Sequence, residues 1–275
     1  MSREEIPKLI QARVYQDDAL TDEEVVSIGS GSAVAVSVKS PNKESGNEDA
    51  ALLRPLDERS SVLAVADGVG GHAAGAQASS LVMQTLNRYL RDKSEEQETR
   101  EALLQGVEAA NRAVIGLGIG AATTLSVVDI HGDRLQSFHI GDSLILVVGQ
   151  KGKLKHQTIP HSPVGYAVEA GFLDEKEALD HEDRHLVSNI IGTEDMRVEM
   201  GPRLTLKERD TVFVCSDGVY DNMHMEELVE IIRAGDLKEN AHRLTEEVMS
   251  RMKQSDPAKP SKPDDFTFVL FRLGS

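Results

Sequence analysis

From Ser32 onward, short Val-rich runs give way to longer stretches with apolar residues every three or four positions, and the two patterns recur in blocks. SAVAVSVKS (32–40) alternates as a half-buried strand does, and DAALLRPL (49–56) and SSVLAVADG (60–68) read as two more strands. Two helices are predicted next. Gln77–Asp92 places Leu81, Val82, Leu86 and Leu90 near one face, and Glu101–Ile115 does the same with Leu103, Leu104, Val107 and Ala110. AATTLSVVDI (121–130), RLQSFHIGDS (134–143), LILVVG (144–149) and KLKHQTI (153–159) follow, parted by Gly-containing turns, as a meander of antiparallel strands. EAGFLDEKEALDH (169–181) reads as helical, while 185–204 fits no single pattern. DTVFVCSDG (210–218) is a strand. MEELVEIIRAG (225–235) and NAHRLTEEVMSRMKQ (240–254) are amphipathic helices, the first capped by Asn222 or a neighbour and closed by Gly235. SDPAKPSKP (255–263) is a polar loop, and DDFTFVLFRL (264–273) is a closing strand.

Residues 1–28 stand apart. IPKLIQARVY (6–15) has roughly helical spacing and QDDALTDEE (16–24) is acidic, so a short helix or loosely held extension is expected, followed by one domain over 29–275. Blocks of strands and helices without regular strand–helix alternation point to an α+β fold: antiparallel sheets covered by helices.

Composition sharpens this in three places. Trp is absent and aromatics are 4% of the 275 residues, so an aliphatic core is expected. The net charge of −16 disfavours nucleic acid and anionic membrane surfaces as partners and is compatible with cations. Cys215 is the single cysteine, so no intrachain disulfide can form. The charged N-terminus has no apolar segment of the signal-peptide kind, and no run approaches the ~20 apolar residues of a membrane span. A cytoplasmic protein is expected.

The candidate chemistry sits where apolar runs end. Glu48 and Asp49 precede one strand, Asp67 closes the next, Asp142 follows SFHIG, Asp217 closes VFVCSD, and Asp264 and Asp265 open FTFVLF. Each alone is an ordinary turn acid, and most have a glycine alongside. As a set they would repel one another, and hard divalent ions such as Mg²⁺ or Mn²⁺ offset that repulsion through oxygen ligands. No CxxC marks a zinc site. A cysteine-dependent phosphatase is excluded too, because the position six after Cys215, where it needs Arg, holds Asp221; the DxDxT pattern of aspartyl-phosphate enzymes is missing.

Six segments in order, GNEDA (46–50), VADGVGGHAAG (65–75), AATTL (121–125), FHIGDS (138–143), VCSDGVYDNM (214–223) and DDFTFVL (264–270), resemble the motif series of the metal-dependent type 2C protein Ser/Thr phosphatases in their compact bacterial form. The resemblance spans about residues 30–273. It implies a central antiparallel β-sandwich flanked by helix pairs, four layers in αββα order. It implies a site for two or three Mg²⁺ or Mn²⁺ ions, with Asp67 bridging two of them and Gly68 offering its carbonyl. Asp217 and Asp264 would ligate the first ion, Glu48 and Asp49 would hold waters or the second, and Asp142 a weaker third. Such a pair activates a water for in-line attack on the phosphorus of phosphoserine or phosphothreonine. The expected partner is a phosphorylated protein, a Ser/Thr kinase or its target, met by a monomer. Two positions depart from the family. The Arg that many members carry four residues before Glu48 is Glu44 here, with Lys43 beside it as the candidate phosphate cation. Val69 stands where animal members carry a general-acid His, leaving His72 as the candidate acid. The altered phosphate grip also keeps open a non-catalytic phosphoprotein-binding regulator on the same fold.

Overall fold

The computed structural model describes residues 11–16, 23–41, 43–69, 73–179, 181–253 and 259–274. Two six-stranded antiparallel sheets lie face to face. The first contains β1 (Arg13–Tyr15), β4 (Ala50–Pro55), β5 (Ser60–Ala66), β8 (Leu125–His131), β9 (Arg134–Ile140) and β12 (Glu199–Thr205), adjacent in that order. The second runs β11 (Leu154–Gln157), β10 (Leu144–Val148), β13 (Thr211–Cys215), β14 (Phe266–Leu273), β3 (Gly31–Val38) and β2 (Val26–Ile28). β6 (Gly68–Val69) and β7 (Ala122–Thr123) form a small third pair.

Side chains alternate between two burial environments, which is why the central strands read as unbroken apolar runs. Ala33, Ala35, Leu53, Leu63, Val65, Val128, Val214 and Val269 fill the space between the sheets. Their neighbours Leu52, Ala64 and Val127 face outward against α1 (Ala73–Tyr89) and α2 (Glu96–Gly116). On the opposite outer face, Val34, Val36, Phe213 and Phe268 pack on α6 (Met225–Ile232) and α7 (Leu237–Lys253). The helices supply matching stripes: Ala78, Val82, Leu86 and Leu90 on and just beyond α1, and Leu237, Ala241, Leu244, Val248 and Met252 on α7. The result is the expected α+β sandwich with a helix pair on each side.

Three expectations change. The core is not purely aliphatic, since five of the six Phe are buried, Phe213, Phe266, Phe268 and Phe271 all on the second sheet. In the N-terminal segment, residues 1–10 and 17–22 lie outside the described residues, but Arg13–Tyr15 is a strand, not a helix. It pairs with β4, buries Tyr15 between the sheets and turns Val14 to the α1/α2 side, so pairing and two-sided burial override helical spacing. The expected helix over 169–181 is broken: α3 (Pro163–Glu169) ends before Gly171 at φ +72°, and α4 (Glu175–Leu179) restarts where the Asp174 carboxylate accepts the Lys176 and Glu177 amides. A 3₁₀ turn (Glu182–His185) completes this segment. The cap of α6 falls on His224, whose amide donates to Glu227. No helix among the described residues is long and apolar enough to cross a membrane.

Candidate metal centre

The acids converge because the strands that carry them end together. Asp67 leaves β5 with its amide donated to Thr124 Oγ1 at 3.0 Å, and its carbonyl accepts Thr124 N–H and Thr123 Oγ1, both at 2.8 Å. Gly68 then donates to the Glu48 carbonyl at 3.2 Å. A Cβ on Gly68 would sit 2.4 Å from the Gly75 carbonyl group and 2.6 Å from Glu48 O; one on Gly75 would sit 2.7 Å from Glu48 Oε1. Bare backbone is therefore required for the 43–49 loop, the end of β5 and the start of α1 to touch. Across the sandwich, Asp217 opens α5 (Asp217–Tyr220) directly after β13. A Cβ on Gly218 would lie 2.0 Å from Asp265 O, so the beginnings of α5 and β14 are pressed together.

Asp49 is 2% exposed, its Oδ2 accepting Ser216 Oγ at 2.7 Å while Oδ1 is buried with no hydrogen-bond partner. Burial pushes the Asp49 carboxyl well above the usual carboxylate range, and Asp265, Asp217 and Asp264 add to the shift. Asp67 is pushed up by burial and then by Asp49, Asp217, Asp142 and Asp264. Asp142 rises to about 8 through burial and Asp217, and Asp264 to about 6 for the same two reasons. Mutually elevated carboxyls with an orphaned, buried oxygen are what a cation-binding pocket looks like before its charge is balanced. Oxygen donors alone suit Mg²⁺ or Mn²⁺, so the residues fit the implied ions.

Two lysines reach this cluster. Lys43 Nζ donates to Glu48 Oε2 at 2.6 Å and to Asp265 Oδ2, and Asp265 also accepts the Ser40 and Glu48 amides at 2.8 and 2.7 Å. Asp265 is thereby a brace for the loop, in contrast to its neighbour Asp264, whose side chain is 39% exposed. Lys262 Nζ donates to Asp217 Oδ2 at 2.8 Å and Asp221 Oδ2 at 2.7 Å, with Asp264 Oδ2 at 3.4 Å. Burial opposes the charge of Lys262, but Asp217 and Asp221 outweigh it and raise its pKa. Neither Lys262 nor Asp221 stood out in the sequence. Asp221 lies four residues, about one helical turn, after Asp217, a spacing that could have flagged it. Glu44 is exposed. His72 lies outside the described residues.

A groove of about 560 Å³ opens beside these acids, between α3, α4 and the α5–α6 region; Asp142, Asp221, Arg184 and Tyr220 are among its lining. Arg184 lies 3.4 Å from Asp221, and Tyr220 OH donates to the Asp142 carbonyl at 3.1 Å.

One other group, His139, His161 and Glu199, brings ligand-type atoms within 4.8 Å of one another. Its hydrogen bonds argue against a metal. His161 Nδ1 faces two donors, Gly141 N–H at 3.1 Å and Asn189 Nδ2 at 2.9 Å. Asn189 is itself oriented by Arg197, whose amide donates to Oδ1 and whose carbonyl accepts from Nδ2. The proton of neutral His161 must then sit on Nε2, which donates to Glu199 at 3.1 Å and has no lone pair to offer.

Comparison with known proteins identifies the family. Residues 41–259 match the family model for protein phosphatase 2C. The serine/threonine protein phosphatase PstP of Mycobacterium tuberculosis is 33% identical over 212 residues, which cover 72% of this chain and 40% of PstP. The protein phosphatase PhpP of Streptococcus pneumoniae is 31% identical over 180 residues, 62% of this chain and 72% of that one. The serine/threonine phosphatase of S. agalactiae superposes with a TM-score of 0.76 at 27% identity, covering 88% of this chain and 99% of that one. The catalytic domain of PstP in complex with two manganese ions gives 0.70 at 26%, covering 88% and 98%. The chain belongs to the protein phosphatase 2C family. It spans about two fifths of the length of PstP.

Proposed function

We propose that this chain hydrolyses phosphoserine and phosphothreonine in proteins with the help of Mg²⁺ or Mn²⁺. The observation that carries the reading is the bare, buried Asp49 Oδ1 set among carboxyls that raise one another's pKa. Asp67, Asp217, Asp264, Asp49 and Glu48, with the Gly68 carbonyl, would hold two ions, and Asp142 would hold a third. The ions would supply an activated water and positive charge for in-line displacement at phosphorus. The chain's own part is placement. Ser216 orients Asp49, Thr123 and Thr124 fix the Asp67 backbone, and Lys43 steadies Glu48 against Asp265. The groove beside Asp142 and Asp221 would receive the peptide around the phosphorylated residue. Lys43 is the candidate cation for the phosphate in the place of the family's Arg, and His72 the candidate proton donor to the leaving alcohol. Residues 29–275 would act as the catalytic unit, a monomer opposing a Ser/Thr kinase. The two manganese ions of the PstP catalytic domain support this reading by likeness.

The test is phosphate release from a phosphothreonine peptide. Mn²⁺-dependent release should fall by more than about 100-fold in Asp67→Asn, since even indirect partners of metal ligands are worth 10–100-fold. Mn²⁺ binding without any release from the unaltered protein would sink the hydrolase reading and favour a phosphoprotein-binding regulator.

A further inference from the structure

Lys262 places an ammonium where the metal-site reading needs a metal ion. Its Nζ is 2.8 Å from Asp217 Oδ2 and 3.4 Å from Asp264 Oδ2, two of the proposed ligand oxygens. A small divalent ion holds its oxygens at about 2.1 Å and tolerates no competing cation on the same lone pairs. An ion that takes these same Oδ2 lone pairs and the ammonium are therefore alternatives at this spot.

The base of the lysine cannot move with it. The Lys262 amide donates to Asn222 Oδ1 at 2.7 Å, and its carbonyl accepts Asn222 Nδ2 at 2.8 Å. Asn222 is fully buried and further held by the Gly218 carbonyl at 2.8 Å. The side chain above this clamp is 27% exposed, so the four-carbon arm has room to turn while its root stays fixed. Asp221, outside the proposed ligand set, bonds the same ammonium at 2.7 Å and offers it a place to remain when Asp217 and Asp264 are taken.

We propose that Lys262 is a tethered counter-ion that fills the Asp217–Asp264 corner of the site in the metal-free protein and is displaced when a divalent ion binds, so that this residue sets the site's metal affinity. The proposal rests on the metal-site reading above. It gives the chain a folded standby state in which the corner's charges are already offset, at the expense of weaker metal binding.

The test compares the full chain with its Lys262→Met variant by Mn²⁺ titration calorimetry and by thermal unfolding with and without Mn²⁺. The variant is expected to bind Mn²⁺ about tenfold more tightly. It should also melt lower than the unaltered protein without metal, and level with it or higher at saturating Mn²⁺. A merely structural lysine would lower both melting points and leave affinity unchanged or weakened, and that result overturns the proposal while leaving the metal site standing. Absence of Mn²⁺ binding in both proteins overturns the metal site and this proposal with it. An independent reading is ¹³C reductive methylation followed by NMR. Lys262 should be shielded from reagent without metal and become reactive with diamagnetic Mg²⁺; equal reactivity in both states would also overturn the displacement.

Discussion

Two knots of titratable side chains meet at the Gly141–Asp142 turn between β9 and β10, and they solve the problem of buried charge in opposite ways. On one side His161 is locked by donors on Nδ1 and an acceptor on Nε2, and it stacks on His139 with ring centroids 4.3 Å apart. On the other side the carboxyls of Asp49 and Asp142 both raise that of buried Asp67, and Asp49 Oδ1 is unpaired. His161 is satisfied by the protein itself, although His139 Nδ1, like Asp49 Oδ1, is buried without a partner; the proposed metal site lies in the second knot. Both hold metal-ligating residue types, although among the described residues only the first brings three ligand-type atoms within 4.8 Å of one another. Proton positions, not residue types, separate them.

The two also lean on pH in opposite directions. His139 is depressed to about 4 by burial and by His161, so its contribution to stability is present above its ordinary ~6.5 and is lost as pH falls toward 4. The carboxyls are raised, with Asp264 at about 6 and Asp142 at about 8, so their contribution is present at low pH and is lost as pH rises through those values.

Gly218→Ala should produce the largest effect. Its Cβ would fall 2.0 Å from the Asp265 carbonyl, and backbone has to give way. A loss of at least about 3 kcal/mol is expected in urea unfolding, together with weakened Mn²⁺ binding in calorimetry. Unchanged affinity would mean that the junction of α5 and β14 does not shape the site. His161→Ala comes next, because it strands two buried N–H donors. It should cost about 2–4 kcal/mol by the same unfolding assay, with Mn²⁺ stoichiometry unchanged. A lost metal equivalent would make the imidazole knot a second metal site and erase the contrast. The smallest effect is a slope: Mn²⁺ should raise the melting temperature more at pH 8 than at pH 5, because ion binding relieves only the carboxylate side. An equal shift at both values would show that the acids are not coupled as described.

Much of this was legible in the sequence because the physics was local. Strands buried on both faces, such as β5 and β13, are continuous apolar runs, and the acids that matter sit at their tips. What escaped depended on distant chain. The three-residue edges β1 and β2 exist only because β4 and β3 offer ladders. Lys262 lies in a stretch whose Pro, Ser and Lys read as solvated loop, and only the fold brings Asp217 and Asp221 to it. The roles of Asp264 and Asp265 divide according to which one Lys43 reaches.

One small feature bears on how such a chain can change over time. Thr123 pairs with Gly68 on one side and with Ile191 on the other, exchanging N–H and carbonyl with Ile191 at 3.0 and 2.9 Å. The Asp67 turn is thus zipped through main-chain groups to the segment that follows the 3₁₀ turn. Main-chain pairing reads spacing, not spelling. Beyond Asp67 and the two threonine hydroxyls that hold its backbone, what these segments must keep is the ladder, and a single inserted or deleted residue would slip the register and carry the site with it.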